Sequence, residues 1–260
     1  MLALVTGASS GIGRDMARYL NKLGYDLIIT SRDKEKLETL KKELDSKKQG
    51  KTDIILADLS NVDECKKLYK EIKEKYSNVD LLINNAGFGL FGEFYETDLD
   101  KELSMIDTNI KAVHILTKLF LKDMLEKDKG QILNVASIAG FMPGPLMSTY
   151  YSTKNYVVRL SQGIREELKK KKSNVKISVL CPGPVNTNFN NVANVKFNLS
   201  SISSEKVAKY AIDKTLKGKF IIIPGFGVKC ARVFAKIVPD SIMAKACYKT
   251  QKKKRTGKSC

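Results

Sequence analysis

Two side chains four residues apart, Tyr150 and Lys154, have the chemical types and the spacing for proton transfer. In a helix, positions i and i+4 lie on one face, so both side chains point into the same space. A phenol with a pKa of ~10 is a poor base at neutral pH, but a nearby ammonium stabilises the phenolate and lowers that pKa. The pair predicts a tyrosine acid/base assisted by a lysine. Taken alone, the spacing also fits a core aromatic residue followed by a surface lysine.

Ser137 is a second candidate, because it directly follows the apolar run Gln131–Ala136. A hydroxyl at the end of a strand is suited to donate to a substrate oxygen and to stabilise the charge that develops there. A nucleophilic serine is the alternative, but it needs a histidine as its base. The sole histidine, His114, lies within a helical pattern and is expected to be a packing or surface residue.

The segment Thr6–Gly13, TGASSGIG, stands between the first apolar run and the first helical pattern. Glycines allow a tight turn and a close approach of the backbone to a pyrophosphate, and a helix N-terminus supplies free N–H groups. Its TGxxxGxG spacing differs from the GxGxxG of the general dinucleotide fingerprint. An ordinary strand-to-helix loop is the alternative, but the position after the first strand favours a dinucleotide site.

The residues after the second apolar run bear on the choice of dinucleotide. NAD sites usually place an acidic residue here to bind the ribose hydroxyls, whereas a 2′-phosphate is better matched by a cation. Ser31 and Arg32 therefore favour NADP(H) over NAD(H), and Arg14 is a candidate for a second contact. The neighbouring Asp33 weakens this preference, and either arginine also fits a solvated surface position.

Short apolar runs alternate with longer amphipathic patterns along the chain, and these elements must position the side chains above. The apolar runs predict strands over Leu2–Thr6, Asp26–Thr30, Asp53–Ala57, Leu81–Asn84, Gln131–Ala136, Lys176–Leu180 and Phe220–Ile223. The amphipathic patterns predict helices over Gly11–Leu23, Asp33–Lys47, Val62–Tyr76, Leu99–Lys127, Thr149–Lys171 and Ser204–Lys217. The alternation indicates an α/β, Rossmann-like doubly wound parallel sheet of about seven strands with helices on both faces. Ligands of such sheets bind beyond the carboxyl ends of the strands.

The motifs, taken in order, resemble those of the short-chain dehydrogenase/reductase family, of the compact single-domain type with TGxxxGxG and YxxxK. The resemblance runs from Leu2 to about Ile223. It rests on Thr6–Gly13, Asp58-Leu59-Ser60, Asn84-Asn85-Ala86-Gly87, Asn109, Ser137, Tyr150 with Lys154, and Pro182-Gly183-Pro184-Val185-Asn186-Thr187. The family spacing also selects Tyr150 over its neighbour Tyr151 as the acid/base.

The resemblance implies roles for individual residues. The catalytic set is Asn109, Ser137, Tyr150 and Lys154, with Asn109 distorting its helix and holding a water that links Lys154 to solvent. Asp58 is expected near the adenine and Thr187 near the nicotinamide carboxamide. The full set expected to bind the cofactor is Gly7, Ser9, Ser10, Gly11, Ile12, Gly13, Ser31, Arg32, Asp58, Leu59, Asn85, Ala86, Gly87, Tyr150, Lys154, Pro182, Gly183, Val185 and Thr187.

The implied activity is hydride transfer between NADP(H) and a carbonyl or secondary alcohol, with Tyr150 as the acid/base. A catalytically silent NADP(H)-binding sensor or scaffold is the alternative, although the complete catalytic set argues against it. The substrate is expected to be a medium-sized apolar ketone or aldehyde. Its pocket is expected to be lined by Ile138, Phe141, Met142, Met147 and Phe189, and residues 188–203 are expected to form a lid.

Composition limits the remaining possibilities. The 260-residue chain is 43% hydrophobic, enough for one core, so we expect a catalytic domain over residues 1–225 and an extension of it over 226–260. The first strand has no basic segment before it and is not expected to be a signal peptide. Five unpaired cysteines indicate a cytoplasmic setting, and with a single histidine no metal site is expected.

The extension carries ten basic residues against one acidic residue, which is +9 of the net charge of +18. It predicts two basic amphipathic helices, Val228–Val238 and Ser241–Lys252, separated by Pro239. Such a segment either rests on an anionic membrane surface or packs on the domain or on a second subunit. No recognised nucleic-acid module is present, so specific nucleic-acid binding is not expected. By resemblance, the protein is expected to be a homo-dimer or homo-tetramer.

Overall fold

The structure is a computed structural model that describes residues 1–47, 49–186 and 202–255, with residues 186 and 253–255 described by backbone alone. Residues 187–201, which include Thr187, Phe189 and nearly all of the expected lid, lie outside the described residues.

A seven-stranded sheet forms the centre of the described chain, in the order β3-β2-β1-β4-β5-β6-β9, and every neighbouring pair is parallel. The strands are nearly continuous apolar runs because both faces of the sheet are covered. Their bounds are β1 Leu2–Thr6, β2 Asp26–Thr30, β3 Thr52–Ile54, β4 Leu81–Asn84, β5 Gln131–Val135, β6 Lys176–Leu180 and β9 Ile221–Ile222. A separate parallel pair joins β7 Val185–Asn186 to β8 Ile202–Ser203.

Helices cover both faces of the sheet, which confirms the predicted Rossmann-like doubly wound fold. One face packs against α1 Gly11–Lys22, α2 Lys34–Asp45 and α7 Ser204–Leu216. The other packs against α3 Val62–Lys75, α5 Val113–Glu126 and α6 Ser148–Lys170. The chain moves outward from β1 to β2 and β3 and then returns to β4 on the other side of β1. Ligands bind at such a switch point, between the carboxyl ends of β1 and β4.

The predicted helix over Leu99–Lys127 is divided in the structure. It consists of α4 Leu99–Ile106, a π-helical segment Asp107–Ala112 and α5. A π segment has i→i+5 hydrogen bonds and is frequent at functional sites. The apolar periodicity predicts the helix but carries no signal for this wider turn.

The extension forms two helices, α8 Phe226–Ile237 and α9 Asp240–Arg255. Pro239 lies between them, as the sequence indicates, but both helices begin earlier than predicted and α9 also ends later. Helix α9 returns to the domain: Met243 is buried, and the Tyr248 hydroxyl donates to Glu93 at 3.4 Å. The observed strand β3 starts one residue before the predicted strand Asp53–Ala57 and is shorter, although Ile55 N still donates to the Ile29 oxygen of β2 at 3.2 Å.

Candidate active site

A cavity of about 590 Å³ lies at the carboxyl ends of the strands. It extends from the glycine turn after β1, past the loop after β4, to Ser137, Tyr150 and Lys154. This is the crevice that the strand order predicts as the ligand site.

The glycine turn leaves room for a ligand close to the backbone. Gly7 and Gly11 have positive φ angles of +63° and +56°, a conformation that residues with a Cβ rarely adopt. A Cβ on Gly13 would lie 2.3 Å from Asn85 Nδ2 and 2.5 Å from the Gly7 oxygen. Gly13 is therefore required for packing between the turn and the loop after β4, and it does not line the cavity.

Asn85 holds this turn in place. Its Nδ2 donates to the Thr6 oxygen at 2.9 Å and to the Gly7 oxygen at 3.2 Å. The Thr6 hydroxyl in turn accepts from the backbone N–H groups of Asn85 and Ala86 at 2.9 and 3.0 Å. These bonds join the ends of β1 and β4, so the backbone that faces the cavity is preorganised.

Cations gather at the far end of the cavity. Arg32 and Lys36 both line it, and Arg32 Nη1 lies 3.7 Å from an oxygen of Asp58. The carboxylate of Asp33 is used locally, since it caps α2 by accepting from Lys36 N at 3.1 Å and pairs with the Lys36 ammonium. The hydrogen bond and the charge of Lys36 hold the pKa of Asp33 below its ordinary value. Arg14 is not among the residues that line this end.

Tyr150 and Ser137 meet at the opposite end. Ser137 begins the 3₁₀ turn Ile138–Phe141, and its hydroxyl accepts from Ala139 N at 3.2 Å. Burial raises the pKa of Tyr150 to about 12, and a side-chain hydrogen bond with Ser137 acts in the opposite direction. Burial thus outweighs the lowering of this pKa that the sequence predicts. The phenol keeps its proton at neutral pH, which is the state that an acid requires.

Lys154 lies one helical turn after Tyr150 and is 5% exposed. Its ammonium donates to the Val135 oxygen at 3.0 Å and lies 5.9 Å from the centre of the Tyr150 ring. Burial lowers the pKa of Lys154 to about 8, while the nearby Cys181 acts to raise it. The ammonium form still predominates at pH 7, so a positive charge stands beside the phenol.

Asn109 lies within the π-helical segment and is fully buried. Its Nδ2 donates to the Phe88 oxygen at 2.9 Å and to the Thr153 hydroxyl at 3.1 Å, and its Oδ1 accepts from Phe88 N at 3.1 Å. A Cβ on Gly87 would lie 2.7 Å from Asn109 Oδ1 and 3.3 Å from Lys154 Nζ. Gly87 therefore allows the asparagine and the lysine to approach each other. The water expected between them stays a prediction.

The cavity brings together most of the residues that the sequence singles out. The lining residues among them are Gly7, Ser9, Ser10, Gly11, Ile12, Ser31, Arg32, Asp58, Leu59, Asn85, Ala86, Gly87, Ser137, Ile138, Met147, Tyr150, Lys154, Pro182, Gly183 and Val185. Gly13 and Asn109 lie behind this lining, and Thr187 and Phe189 are outside the described residues.

Phe141 and Met142, which are predicted to line the substrate pocket, are not among the residues that line the main cavity. Both face a second, open cavity between α6 and α8, which shares Tyr151 with the first. The 3₁₀ turn directs Ile138 and Ala139 into the main cavity and carries Phe141 under α8, where the Arg232 guanidinium lies 5.2 Å from its ring centre.

The lining also includes residues that the sequence does not single out. Lys36 stands four residues after Arg32 on the start of α2, and Phe88 directly follows Asn84–Gly87, so both are near recognisable motifs. Tyr151 lines the cavity beside Tyr150, with the two ring centres 6.1 Å apart. Gln251 comes from α9, and no feature of the sequence indicates that it reaches the site.

Gln251 fixes the orientation of Tyr151. It is 3% exposed, and its Nε2 donates to the Tyr151 hydroxyl at 2.8 Å. We expect Gln251→Ala to raise the KM for a carbonyl substrate by roughly 5- to 100-fold, because a buried hydroxyl that loses its partner costs about 1–3 kcal/mol. The Kd for NADPH should stay within about threefold, since Gln251 lies at the tyrosine end of the cavity.

Steady-state kinetics and a fluorescence titration of NADPH measure the two quantities separately. Thr250→Ala is the matched control: Thr250 is the preceding residue on α9, is exposed, and donates to the Ala246 oxygen at 2.9 Å. Equal effects of the two substitutions on KM would show that Gln251 has no particular role in this cavity.

Neither a membrane-spanning helix nor a metal cluster is found where the structure describes the chain. No helix in residues 1–47, 49–186 and 202–255 is both long and apolar enough to cross a bilayer. The same residues contain no group of three or more His, Cys, Asp or Glu side chains arranged to hold a metal ion.

A doubly wound sheet with a glycine turn after β1 and a Tyr–Lys–Ser cluster at its carboxyl edge defines a class of dinucleotide-dependent enzymes. The family model for short chain dehydrogenases matches residues 1–196 of this chain. An uncharacterized oxidoreductase of Staphylococcus saprophyticus is 34% identical over 186 residues, which are 72% of this chain and 79% of that protein. The chain belongs to the short-chain dehydrogenase family of oxidoreductases.

Solved structures agree with this assignment. A short-chain dehydrogenase from Sphingobium yanoikuyae in complex with NADPH has a TM-score of 0.81 and 25% identity, over 92% of this chain and 97% of that chain. A short-chain dehydrogenase/reductase from Burkholderia phymatum in complex with NAD also has a TM-score of 0.81, at 24% identity, over 89% and 91% of the two chains. The second similarity is a similarity of fold alone.

Proposed function

We propose that the protein is an NADP(H)-dependent oxidoreductase that interconverts a carbonyl and a secondary alcohol. One observation carries the proposal: a single cavity joins a preorganised glycine turn with cations at its far end to a buried Tyr150–Ser137 pair beside the Lys154 ammonium. This combination supplies a dinucleotide site and a proton donor at one carbonyl position.

The glycine turn fits a dinucleotide, because Gly7 to Gly11 line the cavity, except for the buried Ala8, and the turn opens onto the N-terminus of α1. NADPH, when bound, supplies the hydride. The solved structure of the Sphingobium yanoikuyae neighbour is a complex with NADPH, which supports the same class of ligand here.

The side chains act on the oxygen of the substrate. In reduction, Tyr150 donates its proton to the carbonyl oxygen as negative charge develops there, and Ser137 stabilises that charge with a hydrogen bond. The Lys154 ammonium then stabilises the phenolate that Tyr150 becomes. Asn109 holds the π-helical segment against Phe88 and Thr153, and it is proposed to bind the water through which Lys154 exchanges protons with solvent. Oxidation follows the same steps in reverse.

The cations favour a dinucleotide that carries a 2′-phosphate, NADP(H), over NAD(H). Arg32 and Lys36 line the adenosine end, and the nearby Asp33 is engaged with Lys36 and with the start of α2. An acidic residue that is already paired competes weakly for the ribose hydroxyls, whereas a guanidinium matches the geometry of a 2′-phosphate.

Arg32→Ala should therefore raise the KM for NADPH by roughly 10- to 100-fold while the KM for NADH changes by less than about threefold. The basis is a lost hydrogen bond between two charged groups, which is worth about 1.5–3 kcal/mol. Initial rates with both cofactors measure the effect. Arg14→Ala is the matched control, since Arg14 does not line the cavity. An equal loss with NADPH and NADH would contradict the proposed phosphate contact.

The carbonyl substrate is proposed to be apolar and medium-sized. Beyond Tyr150 the cavity is lined by Phe88, Ile138, Met147 and Tyr151, with Gln251 as a polar group among them. A pocket of this kind gains affinity by burying apolar surface and fixes orientation with a few polar contacts.

The test is cofactor oxidation with purified protein across a panel of aldehydes and ketones that increase in apolar size, with NADPH and NADH compared. Faster turnover with NADPH, and kcat/KM rising with apolar size, is the expected result. Tight binding of NADPH without turnover of any member would favour a cofactor sensor instead. Binding of neither cofactor would contradict the assignment of the glycine turn and Arg32.

A further inference from the structure

The outer face of α8 exposes a continuous apolar stripe. Phe226, Val233, Phe234 and Ile237 are 82%, 57%, 62% and 76% exposed. With Cys230 they recur at intervals of three and four residues, so they lie on one side of the helix. A globular protein usually buries such a stripe, and an exposed one marks an interaction surface.

The opposite face of α8 already packs on the domain. Val228, Arg232 and Ala235 are half-buried. Val228 lies close to Gly183, where an added Cβ would be 2.7 Å from its Cγ2, and the Arg232 guanidinium lies over the Phe141 ring. The exposed stripe is thus on the far side of a helix whose core-facing side is occupied.

Lysines lie beside the stripe on α8, and the following helix α9 exposes further lysines. Lys229 and Lys236 are exposed on one flank of α8. On α9, Lys245, Lys249 and Lys252 are exposed as well, and so is the apolar Ile242 in its first turn. Asp240 is the one acidic residue after Phe226 in the sequence.

We propose that this face, the apolar stripe of α8 with the flanking Lys229 and Lys236, docks the protein on the surface of an anionic membrane. Phenylalanine and aliphatic side chains on one side of a helix enter the interfacial region, and lysines beside them bind acidic headgroups. The two contributions are needed together, because neither a few apolar side chains nor a few lysines alone hold a protein firmly at a lipid surface.

Charge argues for lipid over a second copy of the chain. A symmetric contact through this face would bring the lysines of both copies together, and like charges across an interface cost several kcal/mol. A nucleic acid would satisfy the lysines but would leave Phe226, Phe234 and Ile237 exposed to water. An anionic bilayer accommodates both the charge and the apolar stripe.

Cosedimentation of the full-length protein with vesicles tests the proposal. The vesicles are phosphatidylcholine alone, or two parts phosphatidylcholine to one part phosphatidylglycerol. We expect binding to the anionic vesicles only, weakening as salt screens the charges. Lys229→Glu with Lys236→Glu should weaken that binding by at least roughly 25-fold, and Phe234→Asp by roughly 10- to 100-fold.

Two matched controls lie elsewhere on the surface. Lys217→Glu with Lys219→Glu makes the same change in net charge next to β9, and Leu23→Asp places a carboxylate at an exposed apolar position after α1. Both should bind vesicles within about threefold of the wild type, and melting temperatures should show that all variants fold. The readout needs no turnover, so it fails or succeeds independently of the proposed activity.

Three outcomes would overturn the proposal. One is equal binding of the α8 variants and the controls to anionic vesicles. Another is binding that does not distinguish the two lipid compositions. The third is an α8 variant that changes the sedimentation coefficient of the protein from dimer to monomer without changing vesicle binding, because the stripe would then be a contact between copies.

Discussion

Tyr150→Phe should lower kcat for carbonyl reduction by roughly 10²- to 10⁴-fold while NADPH still binds. The substitution removes the hydroxyl that holds the transferable proton and leaves the ring. That ring packs with Met105, Ala139 and Met147, so the fold around it is preserved. Because burial keeps the pKa of Tyr150 at about 12, its hydroxyl is the protonated acid across the neutral range, and nothing in the variant replaces it.

The adjacent tyrosine is a matched control for this prediction. Tyr151 lines the same cavity, but its hydroxyl is bonded to Gln251. Tyr151→Phe should therefore change kcat by less than about tenfold and act mainly on KM. Single-turnover rates with saturating NADPH, measured beside the Kd for NADPH, separate chemistry from binding. A large loss of kcat in Tyr151→Phe with a small one in Tyr150→Phe would reverse the assignment of the acid.

The fold, and the site residues that directly follow strands, can be predicted from the sequence for the same reason. A parallel sheet buried on both faces requires continuous apolar strands, and each strand end then places the next residues at one edge. Gly7–Gly13, Ser31 and Arg32, Asn85–Gly87 and Ser137 all follow strands, and all but Ala8 and Gly13 in these segments line the cavity.

The remaining features of the site depend on tertiary contacts and irregular turns that no local sequence pattern indicates. Gln251 reaches the cavity because α9 folds back on the domain, a hundred residues after its partner Tyr151. Phe141 faces the second cavity because a 3₁₀ turn alters which side chains face the main cavity within four residues of Ser137. The π-helical segment around Asn109 leaves the apolar periodicity intact, so family resemblance and not periodicity indicates the distortion.

Lys154→Met should reduce activity and increase the stability of the fold at pH 7. Removal of the ammonium beside Tyr150 should lower kcat by roughly 10²-fold or more, since the phenolate loses its stabilising charge. The same ammonium is costly to bury: a pKa near 8 in place of the ordinary 10.5 corresponds to about 3 kcal/mol. After subtraction of about 1 kcal/mol for the hydrogen bond to the Val135 oxygen, the gain in the free energy of unfolding should be about 2 kcal/mol.

The gain in stability from Lys154→Met should decrease as the pH rises. The folded protein holds the Lys154 proton less tightly than the unfolded chain does, since burial lowers the pKa. Below pH 8 both states are protonated and the full penalty applies. Between about pH 8 and 10.5 the unfolded chain binds more protons, so the stability of the wild type rises with pH relative to Lys154→Met. The stabilising effect of the substitution should shrink through this range, reach zero at about pH 9.5, and become a destabilisation of about 1 kcal/mol above the upper end, where only the lost hydrogen bond remains.

Urea denaturation of both proteins from pH 7 to 10 measures the difference, and other titrating groups cancel because the two chains share them. Lys170→Met is the control, because Lys170 is exposed at the end of α6. Its replacement should leave activity unchanged and should change the free energy of unfolding by no more than about 0.5 kcal/mol. A Lys154→Met variant that is less stable at pH 7, with a difference independent of pH, would show that the ammonium contributes net stability. Lys154 would then stabilise the fold, and its ammonium would not be a group that supports catalysis at a cost in stability.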